Sequence, residues 1–135
     1  MTTDENKGLV RSYYEGVLAG RDRALLERLL DPAFVSHDAS GATVGRDRYA
    51  TAVAVTHAAF GDLAVTVHDQ VAEDDRVVTR WSATGTHRAD FAGVPATGRR
   101  ITVSGIHIHR LQDGRFVEHW EMLDLVGLLR QLQAG

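Results

Sequence analysis

The sequence predicts an α+β domain in which helices cover one face of a curved, mainly antiparallel sheet. Helical periodicity runs to about residue 60, strand alternation follows it, and an Asp113-Gly114 pair marks a tight hairpin near the C-terminal end. With 135 residues, 44% of them hydrophobic and 24% charged, the chain fits one domain, 1–135, able to bury a substantial core.

Three helices come first. From Asp4, a plausible N-cap, Leu9-Val10, Tyr13-Tyr14 and Val17-Leu18 recur at helical spacing until Gly20 supplies a stop. Asp22 caps a second helix carrying Leu25, Leu26, Leu29 and Leu30, which Asp31-Pro32 ends because proline disfavours helix in the residue before it. Phe34 to His37 is a short extended piece, and Gly45 to Phe60 reads as the third helix. Beyond Gly61 the period becomes two: one strand spans Leu63 to Val71, a second Arg76 to Thr86, a third Arg99 to Leu111 and a fourth Arg115 to about Asp124.

Composition narrows the function. No cysteine means no disulfide, thiolate nucleophile or sulfur-ligated metal, and a formal charge of -3 gives no footprint for nucleic acid. Schiff-base chemistry on an internal lysine is excluded, since Lys7 is the only lysine. No apolar run reaches the roughly 18 residues of a membrane span. The first residues, Met1 to Asn6, lack the character of a signal peptide, so the expected location is cytoplasmic, with no membrane partner.

Counting outward from a two-residue turn at Asp113-Gly114 pairs Leu111 with Phe116, His109 with Glu118, His107 with Trp120 and Val103 with Asp124. One face then carries His107, His109, Glu118, Trp120, Met122 and Asp124, and Trp81 joins it from the neighbouring strand. Two indoles among imidazoles and carboxylates suit a flat hydrophobic or aromatic small molecule. The other face bears Ile106, Ile108, Val117 and Leu123, and is the expected back of the sheet for a homo-oligomer, a dimer in the simplest case. His57, His68 and His119 are expected at the surface.

The motifs Tyr13-Tyr14, Phe34-Val35-Ser36-His37-Asp38, Arg80-Trp81, Gly85-Thr86-His87, Gly98-Arg99-Arg100, Ser104-Gly105-Ile106 and Asp113-Gly114-Arg115, with Glu118-His119-Trp120 and Asp124, resemble those of SnoaL-like polyketide cyclases. That family belongs to the nuclear transport factor 2-like superfamily. The resemblance implies a cone of three N-terminal helices over a curved sheet. It also implies a cofactor-independent enzyme that closes a ring of an aromatic polyketide, or a related polycyclic carbonyl compound, by intramolecular aldol reaction. In the family the aspartate four residues after the tryptophan, here Asp124, is the general acid/base, and His107 lies on the strand of an implicated histidine. The same fold hosts isomerases, epoxide hydrolases and non-catalytic binders.

Each candidate has a plainer reading. Asp124 also fits an N-cap for the turn beginning at Leu125. His107 and His109, with Glu118 opposite, have the spacing of a metal site, although the three preceding helices argue for no metal. Trp81 and Trp120 serve equally as core or pocket wall, and Tyr14 as packing or as a phenol in the cavity. His37 and His87 either line the mouth or satisfy loop carbonyls. The register sets His107 about 13 Å along the strands from Asp124's rung, which favours His87 as the nearer partner, unless a bulge at Gly105 shifts the count by one.

Overall fold

The computed structural model describes residues 1–133, beginning at a capped helix. Thr2 accepts the Glu5 N–H while the Glu5 carboxylate accepts the Thr2 N–H, a capping box that starts α1 (Thr3–Ser12) ahead of the expected Asp4 cap. The helix continues into a π-helical segment, Tyr13–Ala19, whose Tyr13, Tyr14 and Val17 all turn inward, and Gly20 ends it. Asp22 accepts the Leu25 N–H and caps α2 (Arg23–Leu29). The long helix α3 (Arg46–Ala59) follows two strands, and α4 (Leu125–Gln133) closes the described chain. There are thus four helices among the described residues, where the sequence reading had three.

The strands are β1 (Leu30–His37), β2 (Thr43–Gly45), β3 (Ala64–Glu73), β4 (Arg76–Thr86), β5 (Arg100–Gln112) and β6 (Arg115–Trp120), in one sheet of order β2-β1-β6-β5-β4-β3. The meander β3 to β6 is antiparallel, but β1 extends the expected short piece, runs parallel to β6 and carries β2 on its other edge. This is the α+β, mainly antiparallel curved sheet of the nuclear transport factor 2-like fold. Helices pack on its inner face around Val10, Tyr14, Leu26, Phe34, Val77 and Phe116.

One irregularity reassigns the faces. The turn is as expected: Asp113 and Gly114 take φ of 52° and 76°, and Gln112 pairs with Arg115 and Leu111 with Phe116. Then Arg110 pairs with Glu118, so Val117 is an extra residue on β6 and the count is one out from there onward. His109 faces His119 and Ile108 faces Trp120. The pairing continues with Gly105 opposite Leu123, and the Asp124 N–H donates to the Ser104 carbonyl at 3.0 Å. The bulge lies at the turn, not at Gly105. Gly105 answers a different need, since a Cβ there would stand 2.5 Å from the Met122 carbonyl oxygen and 2.9 Å from the Trp81 ring.

Candidate active site

A cavity of about 150 Å³ opens between the helices and the inner face of the sheet. Tyr13 and the long helix's Tyr49 close one side and share a hydrogen bond through their hydroxyls. Trp81 and His107 form part of the sheet wall, while Phe60, Phe91, Ile101 and Leu128 surround the wider end with hydrocarbon. Among the described residues that line it, Glu121 is the one carboxylate, and none is Lys or Arg.

Glu121 reaches the cavity through the bulge. Counting from Ile108 opposite Trp120 and Gly105 opposite Leu123, Glu121 falls opposite His107, so the two are cross-strand neighbours pointing inward. Burial pushes the Glu121 carboxyl above its ordinary 4.5, and the nearby Asp38 charge adds to that. Burial also holds His107 down at about 3, so its imidazole is neutral near pH 7. Neither His107 nitrogen, nor the buried Trp81 Nε1, has a hydrogen-bond partner among the described residues. A carboxyl group held above its ordinary range thus stands beside neutral donors without protein acceptors, which is an arrangement for moving a proton on a neutral ligand and stabilising the oxygen that gains charge.

The other expected site residues lie elsewhere. Asp124 is exposed on the opposite face and its Oδ1 accepts the Gly127 N–H at 2.9 Å, capping α4. Trp120 and Met122 also face outward; Met122 is 55% exposed, and the Trp120 indole stacks on His37 at 5.2 Å with 7° between planes. His37 is therefore on the outer face too, where its Nε2 donates to Glu118 at 2.6 Å and Arg110 donates to the other Glu118 oxygen at 3.0 Å. Glu118 is thereby separated from the inward His107 and His109 and cannot join them around a metal. Leu123, expected on the sheet's back, lines the cavity instead.

His87 is fully buried but does not line the cavity. The Thr97 N–H donates to its Nδ1 at 3.2 Å, which requires that nitrogen to be unprotonated and makes the ring a clamp for the loop leading to β5. Tyr14 is buried beneath the wall, packed 6.1 Å from Trp81 and 6.3 Å from His107 between ring centroids. His57 and His119 are fully buried where surface positions were expected, the first donating from Nε2 to the Leu18 carbonyl at 3.0 Å. Glu121, Tyr13, Tyr49 and Thr56 are the cavity's polar members that sequence reasoning missed. The adjacent apolar pair Phe116-Val117, where alternation breaks, is the one sequence sign of the bulge that brings Glu121 in.

The sequence matches the SnoaL-like polyketide cyclase family over residues 8–132. An aklanonic acid methyl ester cyclase of Streptomyces peucetius is 30% identical over 129 residues, covering 92% of this chain and 88% of that one. Among solved structures, IdmH of Streptomyces antibioticus superposes with a TM-score of 0.81 at 34% identity, covering 94% of this chain and 97% of that one. A SnoaL-like protein of Jannaschia sp. CCS1 gives 0.91 at 26% identity, covering 98% and 94%.

Proposed function

The chain belongs to the SnoaL-like polyketide cyclase family, and on that premise we propose that it closes a ring of a polyketide by intramolecular aldol addition, with Glu121 as the proton-transfer group. The observation that carries the assignment is the Glu121–His107 pair, side by side on the sheet wall of a cavity with no other carboxylate among its described lining residues. Glu121 removes the α-proton beside one carbonyl, and the carbanion adds to a second carbonyl of the same molecule. The resulting alkoxide takes the proton back from Glu121. One C–C bond forms and every proton returns, so the step balances without another reactant. His107, neutral and unpartnered, donates to the oxygen on which enolate charge develops.

The absence of a lysine or arginine from the described lining selects a neutral ligand, because a free carboxylate would meet Glu121 with no compensating charge. An esterified polyketide fits that demand, and the Streptomyces peucetius relative is a methyl ester cyclase. We further propose that two copies pair through the outer face of the sheet, where Ile106 is 49% exposed near Ile108 and Trp120.

The test is ring closure of a polyketide methyl ester, selected by thermal shift from a panel of such esters and their free acids. Glu121→Gln removes the acid/base group at constant volume, and turnover should fall by roughly 100- to 10,000-fold while the ester still raises the melting temperature. Full turnover in that variant would remove Glu121 from the mechanism.

A further inference from the structure

The bulge that turns Glu121 inward also turns His119 inward, two residues earlier on the same face, and the chemistry above gives His119 no task. Its imidazole is 0% exposed and boxed by rings. It stacks on His109 at 4.6 Å with 2° between planes and lies at 26° to Phe34 at 6.0 Å, while Tyr49 meets it edge-on at 5.3 Å and His107 is tilted at 5.1 Å. Neither nitrogen has a hydrogen-bond partner among the described residues. A neutral imidazole nonetheless carries one N–H and one lone pair, and burying both unpaired is costly.

The rings leave one polar direction. His119 Nε2 stands 3.9 Å from Glu121 Oε1, about 1 Å beyond a hydrogen bond, and a small side-chain rotation of Glu121 closes that gap. The Tyr13 and Tyr49 hydroxyls are already engaged with each other. We infer that His119 is the positioning residue for Glu121: its Nε2–H, fixed by the surrounding rings, donates to Oε1 of the ionised carboxylate and leaves Oε2 as the oxygen that takes the substrate proton. The inference rests on the reading of Glu121 as the proton-transfer group.

Such an arrangement supplies what a lone carboxylate on a strand end lacks. Glu121 has three rotatable bonds, and an ionised carboxylate in an apolar cavity needs a donor. His119 provides one without bringing a charge, and its ring cannot turn away. The polar groups around Glu121 are His119 from β6, His107 from β5, Tyr13 and Tyr14 from the π segment, Tyr49 from α3 and Asp38 beyond β1. Of these, His119 is the one that combines a fixed ring with an unpaired nitrogen within 4 Å.

The experiment is a carboxyl-carbon NMR titration of Glu121 in the free, full-length protein, with His119→Phe and His119→Gln beside the natural chain. His119→Phe removes the donor and suits an aromatic box, so the Glu121 midpoint should rise by one pH unit or more. His119→Gln keeps an N–H donor and should bring the midpoint back to within about 0.3 unit of the natural value. An unchanged midpoint in His119→Phe overturns the inference. A second readout needs no variant: nitrogen-15 NMR of the imidazole at pH 7.5 should show the Nε2–H tautomer of His119, and the Nδ1–H tautomer overturns it equally. Both readouts are independent of turnover. If Glu121→Gln kept full activity while these couplings were present, the catalytic assignment would fall and the pair would stand; the reverse outcome would remove His119 alone.

Discussion

At residue 121 a carboxylate is desolvated beside neutral rings, while at residue 124 another is exposed and bonded to a helix N-terminus. Substitution separates the two roles. Asp124→Asn retains a good cap and should leave both turnover and melting temperature close to the natural values. Asp124→Ala forfeits the cap, worth about 1 kcal/mol, and should lower the melting temperature by roughly 4 °C with turnover little changed. Calorimetry paired with the ring-closure assay distinguishes these outcomes from the large, activity-specific loss expected of Glu121→Gln. A hundredfold drop in turnover for Asp124→Asn would return the acid/base role to the residue that family resemblance first indicated.

At the scale of elements, the hairpin β5–β6 governs the site. Its type I′ turn fixes Leu111 opposite Phe116, and the extra Val117 shares one rung with Glu118, against Arg110. Deleting Val117 removes the unpaired residue and leaves the later pairs, His109 with His119 and His107 with Glu121, in place. The expected result is a folded protein whose turnover stays within about tenfold of the natural chain. Loss of activity with retained fold would mean that the ladder re-registers. The closing helix α4 is a second determinant. Gln131 accepts the Thr102 N–H at 2.8 Å and donates to the Thr102 carbonyl at 2.7 Å, holding Leu128 over the wide end of the cavity. At about 150 Å³ the cavity has room for a single aromatic ring, so a multi-ring ligand requires this wall to yield.

At the scale of the molecule, buried histidines link folding to pH: burial lowers His57, and three more, His107, His109 and His119, cluster on the inner face of the sheet. Burial lowers His107 from 6.5 to about 3 and holds His109 and His119 well below 6.5, their mutual proximity adding to the effect. Below about pH 6.5 the unfolded chain takes up these protons and the folded one does not, so stability falls as pH falls. Three protons correspond to about 4 kcal/mol per pH unit. Glu121 opposes this by at most one proton, because its raised carboxyl binds a proton in the folded state first, above 4.5. The urea midpoint should therefore drop steeply between pH 6.5 and 5 and be nearly flat from 7 to 8; a flat profile down to pH 5 would show that the histidines charge without unfolding. The proposed pairing of copies belongs to this scale as well. Ile106→Arg places a charge in the middle of the outer face and should convert a dimer to a monomer in sedimentation equilibrium, leaving the melting transition of the monomer cooperative.

Local rules in the sequence determined much of this protein. The Asp22 cap, the stop at Gly20, the Asp113-Gly114 turn and the two-residue period of β4 and β5 are each written in a few adjacent residues, because capping, left-handed backbone and pleat alternation act over that range. Trp81 and His107 could be assigned to one face for the same reason. Only the tertiary structure decided which face the end of β6 presents. A single unpaired residue exchanges the two faces of everything after it, and its one local sign, the adjacent apolar pair Phe116-Val117, does not by itself say which residue leaves the ladder. His119 and Glu121 came inward, Trp120 and Asp124 went outward, and the carboxylate in the cavity is therefore Glu121 and not the motif's aspartate. The parallel pairing of β1 with β6 was equally invisible, since it joins segments about eighty residues apart through contacts that neither encodes by itself.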